Sequence, residues 1–128
     1  MPETQDYGVP IQVPQHDWEY VFSAGPAVQA FILVPAVAGK VAMLDSCLFT
    51  LVNTAAVAFL SGVQVNDNSS VGTTLAQTAA SIPAVSGSID RFLVSHVTGL
   101  LGRALWVGFG TAPPANVIEQ LTMGGWYV

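Results

Sequence analysis

Charge is the first thing this chain lacks. Charged residues make up 9% of its 128 residues, against roughly 25% in an ordinary soluble domain. The only bases are Lys40, Arg91 and Arg103, and they are scattered along the chain. Recognition of nucleic acid or of an anionic lipid surface needs a cluster of bases. We therefore expect no nucleic-acid partner and no membrane partner.

The residues and motifs of most catalytic and metal sites are also missing. Cys47 is the only cysteine, so it cannot form an intrachain disulfide, and within an apolar strand it is expected to be a small buried hydrophobe. The sequence has no CxxC, HExxH, GxGxxG or P-loop motif. Its first ten residues, MPETQDYGVP, have neither the basic nor the apolar region of a secretory signal. We predict no catalytic residue, no metal and no cofactor, and expect a protein that is not an enzyme.

One long run, from Lys40 to Val65, contains a single acid, Asp45. Within it, Ser46–Asn66 is uncharged over a length that could cross a bilayer. It lacks a flanking aromatic belt or a cluster of bases, which a membrane helix would have. Polar residues also interrupt it at Ser46, Thr50, Asn53, Thr54, Ser61 and Gln64. The run therefore predicts two central β-strands, not a transmembrane helix.

The rest of the chain is divided into short apolar stretches by glycine, proline and asparagine turns. We predict strands over Trp18–Ser23, Val28–Val34, Val41–Val52, Ala55–Val65, Ser88–Val97, Arg103–Gly110 and Val117–Val128, and a weak strand plus a connection over Thr73–Gly87. Within the fourth of these strands, TAAVAFLSG could instead form a short helix. We expect the third strand to bulge near Asp45–Ser46 and the last strand to bulge at Gly124–Gly125. About seven to nine short strands without an amphipathic helix indicate an all-β protein, a single β-sandwich or jelly-roll-like domain.

The first seventeen residues predict an extended N-terminal arm. Pro2, Pro10 and Pro14 fix the backbone dihedral φ and disfavour helix in the residues before them. Four of the eight acids lie in the first nineteen residues, which contain no base. Such an arm is either a solvated tail or a segment that docks on a basic neighbour. We divide the chain into an arm, 1–17, and a sandwich domain, 18–128.

Two histidines and four acids are the candidates for a catalytic or metal-binding role. His96 has Asp90 and Ser95 near it in sequence, as in a catalytic triad, but no G-x-S-x-G motif occurs. His16 beside Asp17 does not make a metal site. We predict that both histidines have structural or surface roles. Four acids are likewise expected at the surface or in turns: Asp45, Asp67, Asp90 and Glu119.

An acidic, proline-bearing arm before a charge-poor β body, turns such as PAVAGK and TAPPAN, and an aromatic end GGWYV resemble the capsid decoration (cement) proteins of tailed bacteriophages. This resemblance implies a virion structural protein on the capsid surface. It would be a homotrimer that binds between subunits of the major capsid protein, and it would need no catalytic residue.

The arm and the aromatic faces are the expected points of attachment. The predicted partner-binding residues are Tyr7, Val9, Ile11, Val13, Trp18, Trp106 and Trp126. The alternative is a receptor- or carbohydrate-binding module of a phage fibre or tail. That module would present the Asn66–Ser70 loop and Trp106, because aromatic rings stack on sugar faces.

Overall fold

The computed structural model describes residues 16–23, 25–54, 59–82 and 88–128. Within these ranges the chain forms eight β-strands and no helix. They are β1 Trp18–Ser23, β2 Phe31–Val34, β3 Val41–Asn53, β4 Phe59–Asp67, β5 Thr74–Ile82, β6 Ser88–Leu101, β7 Leu105–Phe109 and β8 Val117–Tyr127. The predicted all-β class is confirmed.

The strands form two four-stranded sheets. Their orders are β1-β8-β3-β6 and β2-β7-β4-β5, and all neighbours are antiparallel. The first strand pairs with the last, and the chain crosses repeatedly between the sheets. This arrangement is a jelly roll, so the expected β-sandwich is confirmed. Of the predicted arm, only His16 and Asp17 lie among the described residues.

Strand β3 is the centre of the first sheet and contains the predicted bulge. Its pairing with β8 shifts register between Leu44 and Ser46, which leaves Asp45 as the extra residue. Before the bulge Leu44 points into the core, whereas after it Cys47 and Phe49 do. An extra residue changes which alternate positions face inward. The bulge therefore keeps both halves of this strand apolar on the core side.

The same pairing tests the bulge predicted at Gly124–Gly125 in the last strand. Gly124 and Gly125 lie opposite the register shift, so the extra residue is on β3, not at the glycines. A side chain at Gly125 would collide with the backbone of Met43 and the ring of Trp18. The glycines therefore let the strands and this ring approach closely.

The core between the sheets is aromatic and aliphatic. Phe49 and Phe109 meet edge to face, with ring centroids 5.2 Å apart and planes at 86°. On β1, Trp18 is buried and Tyr20 and Phe22 pack against the core. Cys47 is buried as expected.

Two strand predictions need correction. Strand β2 begins at Phe31, not Val28, and as the edge strand of its sheet it has an outer face that meets solvent. Strand β6 continues to Leu101, since it pairs with β3 as far as Val41. His96 therefore lies inside the strand and not at its end.

Replacing Phe49 with alanine should lower the free energy of unfolding by about 3–5 kcal/mol, because it removes a buried ring and leaves a cavity. Val21→Ala is the matched control, since that side chain is 71% exposed and should change stability by no more than about 0.5 kcal/mol. Urea unfolding measures both. Equal effects of the two substitutions would contradict this core.

Candidate functional site

The outer face of the β1-β8-β3-β6 sheet carries a continuous exposed apolar row. Val21 pairs with Thr122, Thr122 with Leu48, and Leu48 with Leu93, so the row crosses all four strands. Val21, Leu48 and Leu93 are 71%, 38% and 69% exposed. We call Val21, Thr122, Leu48 and Leu93 together the apolar row. Such a row on a sheet face is a candidate contact surface.

The rows on either side are largely uncharged. They consist of Glu19, Gly124, Ser46 and Ser95 on one side and Ser23, Gln120, Thr50 and Arg91 on the other. Among the described side chains of these two rows, the charged one is Glu19, on the edge strand β1. The apolar row itself is therefore uncharged, as the centre of a protein interface usually is, whereas Asp45 and His16 place charge beside it at the bulge of β3.

A polar cluster lies where the N-terminal segment joins this face. His16 Nε2 is 2.9 Å from Asp45 Oδ2, and His16 Nδ1 is 3.1 Å from Glu19 Oε2. His96 Nδ1 is 4.0 Å from the other oxygen of Asp45. The His16 ring also meets the edge of Trp126, with centroids 5.0 Å apart. We call His16, Glu19, Asp45 and His96 the histidine cluster.

Local backbone geometry assembles this cluster. Asp45 is the extra residue of the β3 bulge, and His96, between the paired residues Val97 and Ser95, has a left-handed φ of 57°. Both irregularities thus occur at the same level of the sheet. A side chain at Gly124 would collide with the His16 ring. The bulge and the glycine together make room for His16 on the face.

The residue after His16 fixes the chain to β8. The Asp17 N–H donates to the Gly125 carbonyl over 2.8 Å. The Asp17 carboxylate accepts a hydrogen bond from the Tyr127 N–H, also over 2.8 Å. These bonds fix Asp17 against β8 immediately before β1 begins.

The electrostatics of the cluster favour a charged imidazole. The hydrogen bond to Asp45 raises the pKa of His16 most; burial opposes this, and Glu19 adds to the rise. Burial raises the pKa of the nearby Cys47 thiol to about 12, so this thiol is not a thiolate nucleophile at neutral pH. No set of three or more His, Cys, Asp or Glu side chains in the described ranges is arranged to hold a metal ion.

The predicted partner-binding residues fall into three groups. Trp18 and Trp106 are 7% and 4% exposed and stack on Tyr20 and Phe31 of the same chain. Trp126 is half-buried beside the histidine cluster. The arm residues Tyr7, Val9, Ile11 and Val13 lie outside the described residues. Partner binding by all seven stays a prediction.

Sequence reasoning did not single out the apolar row or the histidine cluster. Val21, Leu48 and Leu93 are far apart in sequence and meet only through the cross-strand register. The signal that was present in the sequence is the apolar outward residue within each strand, but it becomes a surface only once the strand order is known.

The outer side of the β2-β7-β4-β5 sheet carries a different feature, a cavity. A cavity of about 340 Å³ is lined by Gln29, Phe31, Ser70, Val71, Trp106 and Gly110. Its size is within the range of small-ligand pockets. The Asn66 amide donates to the Ser70 carbonyl over 3.1 Å and holds the loop. The structure thus brings Trp106 and the Asn66–Ser70 loop together.

Two of the acids expected at the surface are instead buried. The Arg103 guanidinium holds Asp67, with Nε donating to Oδ1 over 3.1 Å and Nη2 to Oδ2 over 2.8 Å. Glu119 is fully buried on the core side of β8. Its Oε1 accepts from the Ala30 N–H over 3.1 Å, while its Oε2 has no hydrogen-bond partner within the described part of the chain. Glu119 faces inward on β8, whereas Asp67 is buried at the end of β4 in its ion pair with Arg103.

Burial raises the pKa of Glu119 to about 7, and the hydrogen bond from Ala30 only partly offsets this. A buried carboxyl with one donor is stable as the neutral acid, because its charged form is poorly solvated.

Comparisons with known proteins add little to this description. No protein-family model matches the chain, and no curated protein matches it. A solved structure, an arabinose-bound MgGH51 α-L-arabinofuranosidase, is similar at 13% identity with a TM-score of 0.41. The match covers 89% of this chain but only 21% of that enzyme. A similarity at this level carries no conclusion about function.

The uncharged run Ser46–Asn66 has the length of a transmembrane helix. In the described ranges, no helix has the length and hydrophobicity needed to span a bilayer.

Glu119→Gln should flatten the pH dependence of stability. The native carboxyl keeps its proton up to about pH 7, whereas the unfolded carboxyl loses it near pH 4.3. Native stability should therefore fall as pH rises through this window, by roughly 3 kcal/mol. The glutamine variant should match the wild type near pH 4 and exceed it at pH 7.5. Parallel urea-unfolding profiles of the two proteins would contradict the buried acid.

Proposed function

We propose that this chain is a virion structural protein, a decoration protein that binds as a homotrimer between major capsid subunits on the capsid surface. The observation that supports it most is the apolar row on the outer face of the β1-β8-β3-β6 sheet. A row of this kind is suited to contact with protein, since it offers apolar area without charges of its own to desolvate.

The size of the face indicates why an arm is needed. Four strands spaced by about 4.8 Å and three rows of side chains cover roughly 400 Å². A standard interface buries about 800 Å² per partner. The sheet face would thus supply about half of a specific contact, and the remainder must come from another part of the chain.

The N-terminal segment is the natural source of that extra area. The chain enters the face at His16, beside the apolar row. Fifteen residues precede it, and an extended segment of that length reaches about 50 Å. Tyr7, Val9, Ile11 and Val13 are alternate residues, so in an extended segment they would present one side to a neighbouring subunit.

Two general features are compatible with this role. Jelly rolls occur in viral capsid proteins, although lectins and cupins share the architecture. Many symmetric copies on a shell can also bind stably through sites that are weak individually. A protein with this task needs no catalytic group or cofactor, which agrees with the expectation that it is not an enzyme.

Val21→Glu and Leu93→Glu should each lower shell binding at least about tenfold, since each places a charge in the apolar row. The chain is co-expressed with the major capsid protein of its own genome, and shells are collected on a density gradient. Val71→Glu is the matched control, because that side chain is 90% exposed and lies outside the row.

The proposal is wrong if the wild type fails to sediment with shells, or if all three variants bind equally. Light scattering on the free proteins should give the mass of a trimer in each case, so that a loss of binding is not a loss of assembly. A monomeric wild type would contradict the trimer.

The cavity beside Trp106 supports a second candidate, the receptor- or carbohydrate-binding module. Phe31 stacks on Trp106 with ring centroids 5.8 Å apart, and its exposed face borders the cavity together with Gln29 and Ser70. An aromatic face flanked by amide and hydroxyl groups is suited to a sugar ring.

This candidate predicts that Phe31→Ala weakens glycan binding about tenfold, the loss expected from one aromatic contact. Leu33→Ala is the control, since Leu33 is 49% exposed on the same strand but does not line the cavity. A glycan array followed by calorimetry measures both. A wild type that binds no glycan would exclude this candidate.

A further inference from the structure

We propose that a small pocket beside the apolar row receives one basic side chain, an arginine or a lysine, from the protein that docks on this sheet face. The pocket lies on the outer face of the β1-β8-β3-β6 sheet, where the apolar row meets the histidine cluster. This inference rests on the proposed function, because it assumes a protein partner, and it adds which group that partner presents. We call this feature the outer-face pocket, and its outward-facing lining consists of His16, Glu19, Val21, Ser46, Thr122 and Gly124.

The outer-face pocket exists because the two middle strands carry small residues at this level. Gly124 of β8 pairs with Ser46 of β3, and a side chain at Gly124 would collide with the His16 ring. The pocket has a volume of about 240 Å³. Pockets for small ligands have roughly 300–1,000 Å³, so this pocket is suited to a single side chain.

One side of the outer-face pocket is acidic. His16 lies between two carboxylates, with Nε2 2.9 Å from Asp45 and Nδ1 3.1 Å from Glu19. One imidazolium can neutralise only one of these two charges, and the Glu19 side chain is 73% exposed. His96 is a more distant partner, 4.0 Å from Asp45, and it is not part of the lining. Glu19 therefore offers negative charge to a cation that enters the pocket.

The other side of the outer-face pocket is formed by the apolar row. Val21 and Thr122 belong to this row and also line the pocket. Lysine and arginine side chains bury their methylene stems on apolar surface while the charged end stays with polar groups. A stem packed against Val21 and Thr122 would bring the charged end to Glu19. An apolar side chain would match only one side of the pocket.

The composition indicates that a different protein supplies the basic group. This chain has three bases and a net charge of −5, and one of the three, Arg103, is already paired with Asp67. An acidic protein attracts a basic surface, and complementary charge fixes how the two dock. Arginine is also among the residues that dominate the binding energy of protein contacts.

Filling the outer-face pocket should prevent docking on shells. Ser46→Leu should lower shell binding at least about tenfold, because the added side chain takes the place of the basic group. Ser95→Leu is the matched control and should bind like the wild type, since Ser95 pairs with Ser46 but does not line the pocket. Glu19→Gln should lower binding by a similar factor and make it less sensitive to salt. Density-gradient sedimentation at low and high salt measures all three.

A titration without shells tests the outer-face pocket by itself. N-acetyl-arginine amide is added to the full chain, and the Val21 and Gly124 amides are followed by nuclear magnetic resonance. Both signals should shift in the wild type and stay in place in Glu19→Gln and Ser46→Leu. N-acetyl-norleucine amide, an apolar probe of similar length, should shift them much less. The dispersion of the amide spectrum shows that each variant is folded.

The possible outcomes separate this inference from the proposed function. The inference is refuted if the two probes act alike, or if Ser46→Leu and Ser95→Leu bind shells equally while Val21→Glu does not bind. If the wild type fails to sediment with shells, the proposed function is wrong, and the probe titration alone decides whether the pocket takes a basic group.

Two other occupants would also contradict the inference. A lower mass of free Ser46→Leu in light scattering would show that a second copy of the chain fills the outer-face pocket. Nuclear Overhauser contacts from residues 1–15 to Gly124 in the free wild type would show that the chain's own N-terminal segment fills it.

Discussion

The pairing of β3 with β8, broken at one extra residue, is the constraint on which the rest of the structure depends. Strand β3 is hydrogen-bonded to β6 on one side and to β8 on the other. A shift of one residue in such a strand would turn every side chain to the opposite face. At the Asp45 bulge the strand changes, within its own length, which alternate residues face the core. The core residues on both sides of it therefore stay inside, and Asp45 is left on the outer face beside His16.

The distribution of its few charges explains much of this molecule. Asp67 and Arg103 neutralise each other at the end of β4, and Glu119 is buried where the neutral acid is favoured. His16, Glu19 and Asp45 lie together on the outer face, next to the start of β1. These placements leave the apolar row on one sheet face without a charged residue. The low charge that is evident in the composition thus becomes a property of a particular surface.

Much of the fold could be predicted from the sequence, because strands and turns leave local signals. The inward aromatic face of β1, the burial of Cys47 and the bulge near Asp45 all follow from patterns of a few residues. The extent of β6 and the exposed side of β2 cannot be predicted from such patterns, because they depend on which strands are neighbours.

The candidate site could not be predicted, for a related reason. His16, Asp45 and His96 are far apart in sequence, and nothing in their spacing indicates that they meet. They are brought together by the strand order and by a bulge on the middle strand. Glu119 was expected at the surface because a single acid in a strand usually points outward, whereas the register of β8 turns it to the core.

The most direct test is to image the protein in its assembled state. An electron cryomicroscopy reconstruction of shells that carry this chain would show what lies over the outer face of the β1-β8-β3-β6 sheet. We expect density from a capsid subunit against Val21, Leu48 and Leu93, with residues 1–15 extending onto a neighbouring subunit. A reconstruction in which this face is bare and the contacts lie elsewhere would contradict the assignment of this surface.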